Sequence, residues 1–280
     1  MRAMLILLLV LVLAGPALAT NGVLEINQTC AVQTGCFAGD SAGFPVTISG
    51  SGSYVLTGSL TVGDANVDGI EFSANDVSID LNGFSIEGPV ICTGLGPGIT
   101  CEPELASGMG IDASGVHGVT IKDGRVRGFV SAGIFVGGRA QLRDLTVESI
   151  SNRAVRIDGS GHSIAVGLIV IGNLGTGILS NGSILIERSI FSGNGATAID
   201  VGVGSQVMNN LVYNNGGTGI AADARSSVSQ STVHSNVGVG LALPGDAVYR
   251  DNFLIGNAGG TVTGGINAGG NVCNASLTCP

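Results

Sequence analysis

An asparagine recurs every 21 residues through the second half of this chain. Six positions keep the interval without a slip: Asn152, Asn173, Asn194, Asn215, Asn236 and Asn257. A fixed repeat of about 20–30 residues is typical of a solenoid, in which each repeat packs only on its neighbours. Stacked asparagine amides can hydrogen-bond along such a stack, and asparagine tolerates a left-handed turn. We therefore expect these asparagines to form a structural ladder.

The rest of the chain is compatible with such a stack. Short runs that alternate apolar and polar residues, such as Val77-Ser78-Ile79-Asp80, are separated by residues that favour turns. Three such runs make one triangular coil, and the 48 glycines suit tight turns between them. With only 11% charged residues, the chain is too apolar for disorder. We predict an all-β parallel β-helix of about eight or nine coils, each of 21 to 23 residues.

Residues 1–19 have the features of a signal peptide. Arg2 supplies a positive charge, a short apolar run begins at Leu5, and Ala17-Leu18-Ala19 fits a cleavage site. The apolar run is too short to span a bilayer, and no later segment of the sequence replaces it. We expect an exported protein, periplasmic or extracellular, with an N-terminal cap at 20–62, a β-helix at 63–262 and a C-terminal cap at 263–280.

Six cysteines occur as three pairs that are close in sequence, namely Cys30 and Cys36, Cys92 and Cys101, and Cys273 and Cys279. This proximity and an oxidising compartment favour a disulfide within each pair. Metal binding is the alternative, but no Cys-x-x-Cys spacing supports it. The outer two disulfides would staple the caps. The middle pair lies in an interruption of the repeat at 89–108, which we interpret as a projecting loop of the kind that carries function in solenoids.

The net charge of the chain is −9, which disfavours nucleic acid and anionic membranes as partners. Basic residues nevertheless cluster between positions 122 and 156. The cluster comprises Lys122, Arg125, Arg127, Arg139, Arg143, Arg153 and Arg156.

Lys122 and Arg143 are 21 residues apart, as are Asp123 and Asp144. If the repeat extends to this region, Lys122 stacks on Arg143 at about 4.8 Å. Such a stripe could bind the carboxylates of a polyuronate, and a perturbed basic side chain could remove a sugar proton. The alternative is a solvated ladder in which acidic and basic side chains neutralise each other. The first hypothesis assigns catalysis to Lys122, Arg143, Asp123 and Asp144, and substrate binding to Arg125, Arg127, Arg156 and His162.

Two further groups of residues are candidates. Asp64, Asn66 and Asp68 match the first half of a calcium loop, but its later positions would be Phe72 and Asn75. The same residue types are common in turns, so we assign no metal or cofactor and keep calcium at these three residues as the weaker alternative.

The second group is Ser192, Tyr213, His234 and Ile255, each two residues before a repeat asparagine and expected to point outward. Tyr213 stacked on His234 could contact a sugar ring. The chain has no Trp and 3 Tyr, so a broad aromatic platform for sugars is disfavoured, and an ordinary surface column is the alternative.

Several segments carry a family resemblance: residues 79–86 (Ile-Asp-Leu-Asn-Gly-Phe-Ser-Ile), 118–124 (Gly-Val-Thr-Ile-Lys-Asp-Gly) and 189–194 (Ser-Ile-Phe-Ser-Gly-Asn). With them the sequence resembles the right-handed parallel β-helix family, the pectin-lyase-like superfold. The resemblance implies a right-handed coil. Members of this family include polysaccharide lyases, hydrolases and epimerases, tailspikes and adhesins, so the fold alone does not determine the activity.

The catalytic motifs that the resemblance would imply are missing from the sequence. It contains no Asn-Thr-Asp or Gly-His-Gly of polygalacturonases, no Asp-Pro-His-Asp of mannuronate epimerases and no Arg-x-Pro-x-x-Arg of pectate lyases. The leading hypothesis is therefore a scaffold that binds a polysaccharide or cell-surface glycan without catalysis. The alternatives are a lyase or epimerase acting on an acidic polysaccharide, and an adhesin-like structural surface protein.

Overall fold

The computed structural model describes residues 22–277 and residue 279, so the predicted signal peptide at 1–19 lies outside the described residues. The chain winds into a right-handed parallel β-helix of about 11 turns, which confirms the predicted fold class. The predicted number of about eight or nine coils is too low. Four strands before residue 63 and two after residue 263 already pair with the stack, so the coils begin earlier and end later than the sequence repeat.

The first sheet contains ten parallel strands. In axial order they are Val46–Ile48, Ile70–Phe72, Met109–Ala113, Ala132–Val136, Arg153–Ile157, Ile178–Ser180, Ile199–Val201, Ile220–Ala222, Leu241–Ala242 and Val262–Thr263. In a typical strand, such as Ile199–Val201, the outer two residues are buried and the middle residue points outward.

A further 19 strands form two sheets that share Thr120–Arg127 and Gln141–Glu148, because these two long strands pass around a corner. The second sheet also contains Leu24–Ile26, Gly52–Leu56, Val77–Asp80, Ser163–Val166, Ile184–Glu187, Gln206–Met208, Ser227–Ser229, Val248–Arg250 and Ile266–Asn267. The third sheet also contains Leu60–Thr61, Ser85–Glu87, Ile169–Ile171, Ile190–Ser192, Leu211–Tyr213, Thr232–His234, Phe253–Ile255 and Val272–Cys273.

The three sheets are joined at three corners. The first corner leads from the first sheet to the second, the second corner from the second sheet to the third, and the third corner from the third sheet to the next coil. Inward side chains stack on their equivalents one coil away, as Ile178, Ile199 and Ile220 do in register, all fully buried. Burial of such side chains contributes about 1.5–3 kcal/mol each.

A short helix, Gln28–Gln33, lies at the N-terminal end of the stack. Asn27 caps it, since its side-chain oxygen accepts the backbone N–H of Cys30 at 3.1 Å. The side chain of Gln28 bonds both the backbone N–H and the carbonyl of Thr61, and Ala31 is buried in the core. The helix is thereby fixed to the first coils. The boundaries 20–62, 63–262 and 263–280 remain predictions.

The asparagine ladder lies at the third corner, inside the coil. The Nδ2 of Asn173 donates to Oδ1 of Asn194 at 2.8 Å, and the same bond recurs in each coil up to Asn257. A second Nδ2 bond runs to a backbone carbonyl of the coil below, such as that of Phe191 from Asn215. Because these amides are buried, the bonds satisfy groups that would otherwise be costly to remove from water.

The prediction that Asn152 begins this ladder is wrong. Asn152 is exposed, and the position below Asn173 is taken by Ile150, whose N–H donates to Oδ1 of Asn173. Two additional residues at the first corner lengthen this coil to 23 residues. The residue 21 positions before Asn173 is therefore not the structurally equivalent one. The left-handed residue of the corner also differs from expectation: it precedes the asparagine, as Gly172 and Asn214 do.

The other two corners also carry polar ladders, which the sequence repeat did not suggest. At the second corner, backbone N–H groups donate to the side chain one coil on, which is in turn Ser189, Asn210, Ser231, Asn252 and Asn271. At the first corner, the N–H of Ser205 donates to the hydroxyl of Ser226. Small polar side chains therefore satisfy the backbone at all three corners.

All three predicted disulfides are formed, between Cys30 and Cys36, Cys92 and Cys101, and Cys273 and Cys279. Two lie near the ends of the stack and one lies in the 89–108 loop. Within the described part of the chain, no helix is long and apolar enough to cross a membrane.

Candidate functional site

The clustered basic residues are distributed over all three sheets. Lys122 and Arg143 are paired in register on the second sheet, as the repeat predicted. Arg125 and Arg127 follow the second corner and lie on the third sheet, whereas Arg156 lies on the first. The chain segment is therefore basic, but it does not form one basic face.

Lys122 is held between two carboxylates. Its Nζ lies 2.8 Å from Asp123 and 2.6 Å from Asp80, which is paired with it in the coil below. The hydrogen bond to Asp123, and then that to Asp80, raise the pKa of Lys122 above its ordinary value. A lysine stabilised as the cation is a poor general base, which opposes the predicted proton-abstracting role.

Of the other three predicted catalytic residues, Asp123 is the one that pairs with Lys122 in the described structure, so the four side chains do not form one catalytic group. The guanidinium of Arg143 donates to Oε1 of Gln141 at 3.0 Å. Asp123 and Asp144 occupy the left-handed turn position of the second corner in successive coils, with φ of 59° and 50°. Their spacing of 21 residues thus reflects the geometry of the corner.

The four predicted substrate-binding residues are also separated. On the third sheet, Arg125 pairs with Glu148 at 3.4 Å, and Arg127 pairs with Glu87 at 3.0 Å and lowers the pKa of that carboxyl.

The other two lie away from the third sheet. Arg156 pairs with Asp158 at 2.5 Å and lies 4.3 Å from the ring centroid of Phe135 on the first sheet. His162 lies at the first corner, where its Nδ1 is 2.9 Å from Oγ of Ser183. These contacts favour the alternative in which acidic and basic surface side chains neutralise each other over a shared substrate site.

The candidate calcium residues have other partners. Oδ1 of Asp64 accepts the backbone N–H of Asn66 at 2.9 Å, as in an ordinary turn. Asp68 accepts the backbone N–H of Met109 at 2.6 Å, where the chain returns from the 89–108 loop. Among the described residues, no group of three or more His, Cys, Asp or Glu side chains is placed to hold a metal.

Asp68 should make stability depend on pH. Burial, with smaller effects from Asp112 and Glu71, raises the pKa of Asp68 from 3.8 to about 6. The folded protein binds this proton more tightly, so the contribution of Asp68 is greatest below the unfolded pKa and is lost as pH rises through about 6. After allowance for partial exposure, we expect a loss of about 1–2 kcal/mol.

This dependence can be measured by urea unfolding at pH values across that interval. Asp68→Asn keeps an acceptor for Met109 but removes the proton, and we expect it to flatten the profile. Asp64→Asn, at an exposed carboxylate of the same segment, is the control. An equally steep profile in Asp68→Asn would contradict the assignment.

The third sheet has an outer surface of a different kind. Five successive strands, from Ile169–Ile171 to Phe253–Ile255, present no Asp, Glu, Lys or Arg on this surface. The outward residues form two columns, Ile169, Ile190, Leu211, Thr232 and Phe253 beside Ile171, Ser192, Tyr213, His234 and Ile255. All of them are at least partly exposed except Ser192, which is buried. Contiguous exposed apolar surface commonly marks a binding site.

The sequence contains a signal for this surface that the repeat analysis missed. In a three-residue strand that is buried on one face, only the middle residue, which points inward, needs to be apolar. In Ile169-Val170-Ile171 and Phe253-Leu254-Ile255 all three residues are apolar. The excess apolar residues are the outward ones.

The 89–108 loop borders this surface. It does not project freely, as predicted, but folds along the third corner: the backbone N–H of Gly96 donates to the carbonyl of Gly193 at 2.8 Å, and Leu95 packs on Gly172 and Gly193. Ile91–Thr93 and Thr100–Glu102 form an antiparallel hairpin across the disulfide. The loop forms a wall beside the column that contains Tyr213.

This wall is anchored by a small apolar cluster of its own. Val90, Ile99, Cys101 and Val130 are buried together, and Leu174 packs against them. Near its base, the loop and the third sheet enclose a cavity of about 180 Å³ that includes Arg127 and Ile91. We call the strip of third-sheet surface beside this loop the groove, and the cavity lies at its Arg127 end.

An aromatic pair lies farther along the groove. The rings of Tyr213 and His234 are stacked, with centroids 5.2 Å apart and planes inclined by 12°. Both side chains are partly exposed and belong to consecutive coils of the same outward column. The predicted stack is thus present, within a largely aliphatic surface.

Comparison with known proteins gives a family but no sequence relative. A family model described as a right handed beta helix region matches residues 105–270. No curated protein sequence matches this chain significantly.

Solved structures share the architecture at low sequence identity. A double mutant of the periplasmic alginate epimerase AlgG is 12% identical over 79% of this chain and 69% of its own, with a TM-score of 0.53. The Dettilon tailspike protein is 13% identical over 81% of this chain and 57% of its own, with a TM-score of 0.50. At such identities the similarity establishes the fold alone.

Proposed function

Because this chain belongs to the right-handed β-helix family, we propose that it is an exported protein that binds a polysaccharide along the third sheet without cleaving it. The observation that carries this proposal is the groove between the disulfide-closed loop and the uncharged outer columns of that sheet. Structural neighbours that act in polysaccharide chemistry, such as the alginate epimerase, are consistent with this choice of ligand.

The charge arrangement supports binding over catalysis. Elimination or epimerisation at a uronate requires a base that can accept the proton next to the carboxylate. Lys122 is kept protonated by two carboxylates, and Arg125 and Arg127 are engaged by Glu148 and Glu87. Their ion pairs leave these side chains without the free charge that a polyuronate site would need.

The groove supports a linear ligand. Successive outward residues of one column are about 4.8 Å apart, so a column offers equivalent contacts at regular intervals along the axis. The stacked Tyr213 and His234 present ring faces of the kind that pack on the apolar face of a sugar. The loop wall limits the ligand to the direction of the helix axis. A polymer of sugar units fits this surface better than a compact ligand does.

Tyr213→Ala tests the groove. We expect the affinity for a bound polysaccharide to fall about three- to tenfold, because one ring of the stack is lost. Affinity electrophoresis in gels containing alginate, polygalacturonate or a neutral glucan gives the retardation from which affinity is obtained.

Leu179→Ala is the matched control, because Leu179 is also partly exposed and outward but lies on the first sheet. It should leave the retardation unchanged. Equal effects of both substitutions, or no retardation of the unmodified protein by any polymer, would oppose the proposal. Parallel assays for unsaturated uronate absorbance and for epimerised residues should be flat, and turnover lost in Lys122→Ala would favour the lyase or epimerase hypothesis instead.

A further inference from the structure

The first corner contains a recess that no part of the proposed function uses. It has a volume of about 520 Å³ and is lined by three consecutive turns, at residues 114–117, 137–139 and 158–161. This size is within the range of small-molecule sites. The recess lies between the first and second sheets, away from the groove on the third.

Unequal turn lengths create the recess. The first corner spans nine positions from Ile111 to Thr120 and nine from Val155 to Ile164, but only seven in the intervening coil, from Ile134 to Gln141. Two long turns therefore rise on either side of a short one. The short turn, Gly137-Gly138-Arg139, forms the floor, and the long turns form the walls.

Arg139 and His117 place hydrogen-bond donors in this recess. A guanidinium N–H of Arg139 lies 2.7 Å from Nδ1 of His117. Since a guanidinium can only donate, Nδ1 is the acceptor and the imidazole proton is on Nε2. The pair therefore offers the remaining guanidinium N–H groups and an imidazole N–H to a ligand.

The positive charge of Arg139 is not compensated within the described structure. No carboxylate of the described residues pairs with Arg139, which bonds only to the neutral His117. Asp158, on the opposite wall, is engaged by the guanidinium of Arg156 at 2.5 Å and by Nδ2 of Asn181 at 2.7 Å. The charge of Arg139 is therefore available to an anionic ligand in the recess.

We propose that this recess binds a single acidic sugar unit through its carboxylate. The planar carboxylate can accept two parallel bonds from the guanidinium fork, which favours it over a neutral group. The hydroxyls of Ser114 and Ser160 and the backbone of the glycine-rich turns supply polar partners for sugar hydroxyls. This site is separate from the groove and does not depend on the polymer-binding proposal.

Arg139→Gly removes the guanidinium without straining the fold. Arg139 adopts a left-handed conformation, with φ of 59°, at a position that Gly118 and Gly204 occupy in other coils. Glycine adopts this conformation freely, so the melting temperature should be unchanged or higher. Arg225 has the same φ of 59° at the equivalent position, outside the recess. Arg225→Gly is the matched control.

Isothermal titration calorimetry with galacturonate, galactose and acetate, on the full mature chain, tests the site. We expect galacturonate to bind, galactose and acetate to bind much more weakly, and Arg139→Gly to weaken galacturonate binding about tenfold or more. Arg225→Gly should bind as the unmodified protein does.

Three results would overturn the proposal. They are no heat with galacturonate, equal affinity in Arg139→Gly, and acetate binding as tightly as galacturonate. Polymer retardation by the third-sheet groove is measured separately, so failure of either site is distinguishable from failure of the other.

Discussion

Asn215→Ala is expected to lower the free energy of unfolding by about 3–5 kcal/mol. Asn215 is fully buried, and its Oδ1 accepts the Nδ2 of Asn194 at 2.9 Å. Its own Nδ2 donates to Asn236 and to the carbonyl of Phe191. Alanine would leave these buried groups without partners, and each such group costs about 1–3 kcal/mol. Guanidinium unfolding followed by circular dichroism gives the change.

Asn152→Ala tests whether the loss of stability comes from the ladder bonds or from any asparagine of the sequence repeat. Asn152 belongs to the same 21-residue series, but it is exposed and its side chain is not part of the ladder. A change within about 0.5 kcal/mol is expected there, as for most surface substitutions. If both alanine variants lost equal stability, the ladder could not be the source of the effect.

Gly175→Ala should destabilise the protein by more than about 3 kcal/mol, or prevent folding. A Cβ at this position would lie well inside van der Waals contact of the backbone carbonyl of Asn152, in the coil below. The opposing group is backbone, so only a shift of one coil against the other can relieve the overlap. Yield of soluble protein and the thermal midpoint measure the effect.

Gly245→Ala is the corresponding control, because a Cβ there meets nothing within 4 Å. We expect it to fold with a thermal midpoint close to that of the unmodified protein. Normal folding of Gly175→Ala would show that the coils can separate at this corner.

Most of the fold follows from the sequence because the number of residues in a coil equals the length of the sequence repeat. From Asn173 to Asn257 each coil has 21 residues, and the equivalent positions are correctly identified. The assignment fails at Asn152, where two inserted residues at one corner shift the register without changing the interval between asparagines. The repeat did not predict the earliest coil, because its strands, such as Leu24–Ile26, lie outside the asparagine series.

The site was less predictable, because contacts across coils depend on register that a period alone does not reveal. The stacking of Lys122 on Arg143 follows from their separation and is observed. Asp80, one of the two carboxylates that bind Lys122, is 42 residues away, so the 21-residue repeat would place it two coils below. It lies only one coil below, because the 89–108 loop takes up the extra residues. The position of that loop depends on the small residues Gly172 and Gly193, whose role is visible only when Leu95 packs on them.

The asparagine ladder also bears on how such a gene can change in length. Every rung joins only adjacent coils, and in every amide-to-amide bond the donor lies on the N-terminal side and the acceptor on the C-terminal side. A coil of 21 residues is therefore a unit with an acceptor on one side and a donor on the other. An in-frame duplication of 21 codons within this stretch would add a coil that completes the same bonds above and below. Replication slippage can thus lengthen the molecule while its capped ends stay unaltered.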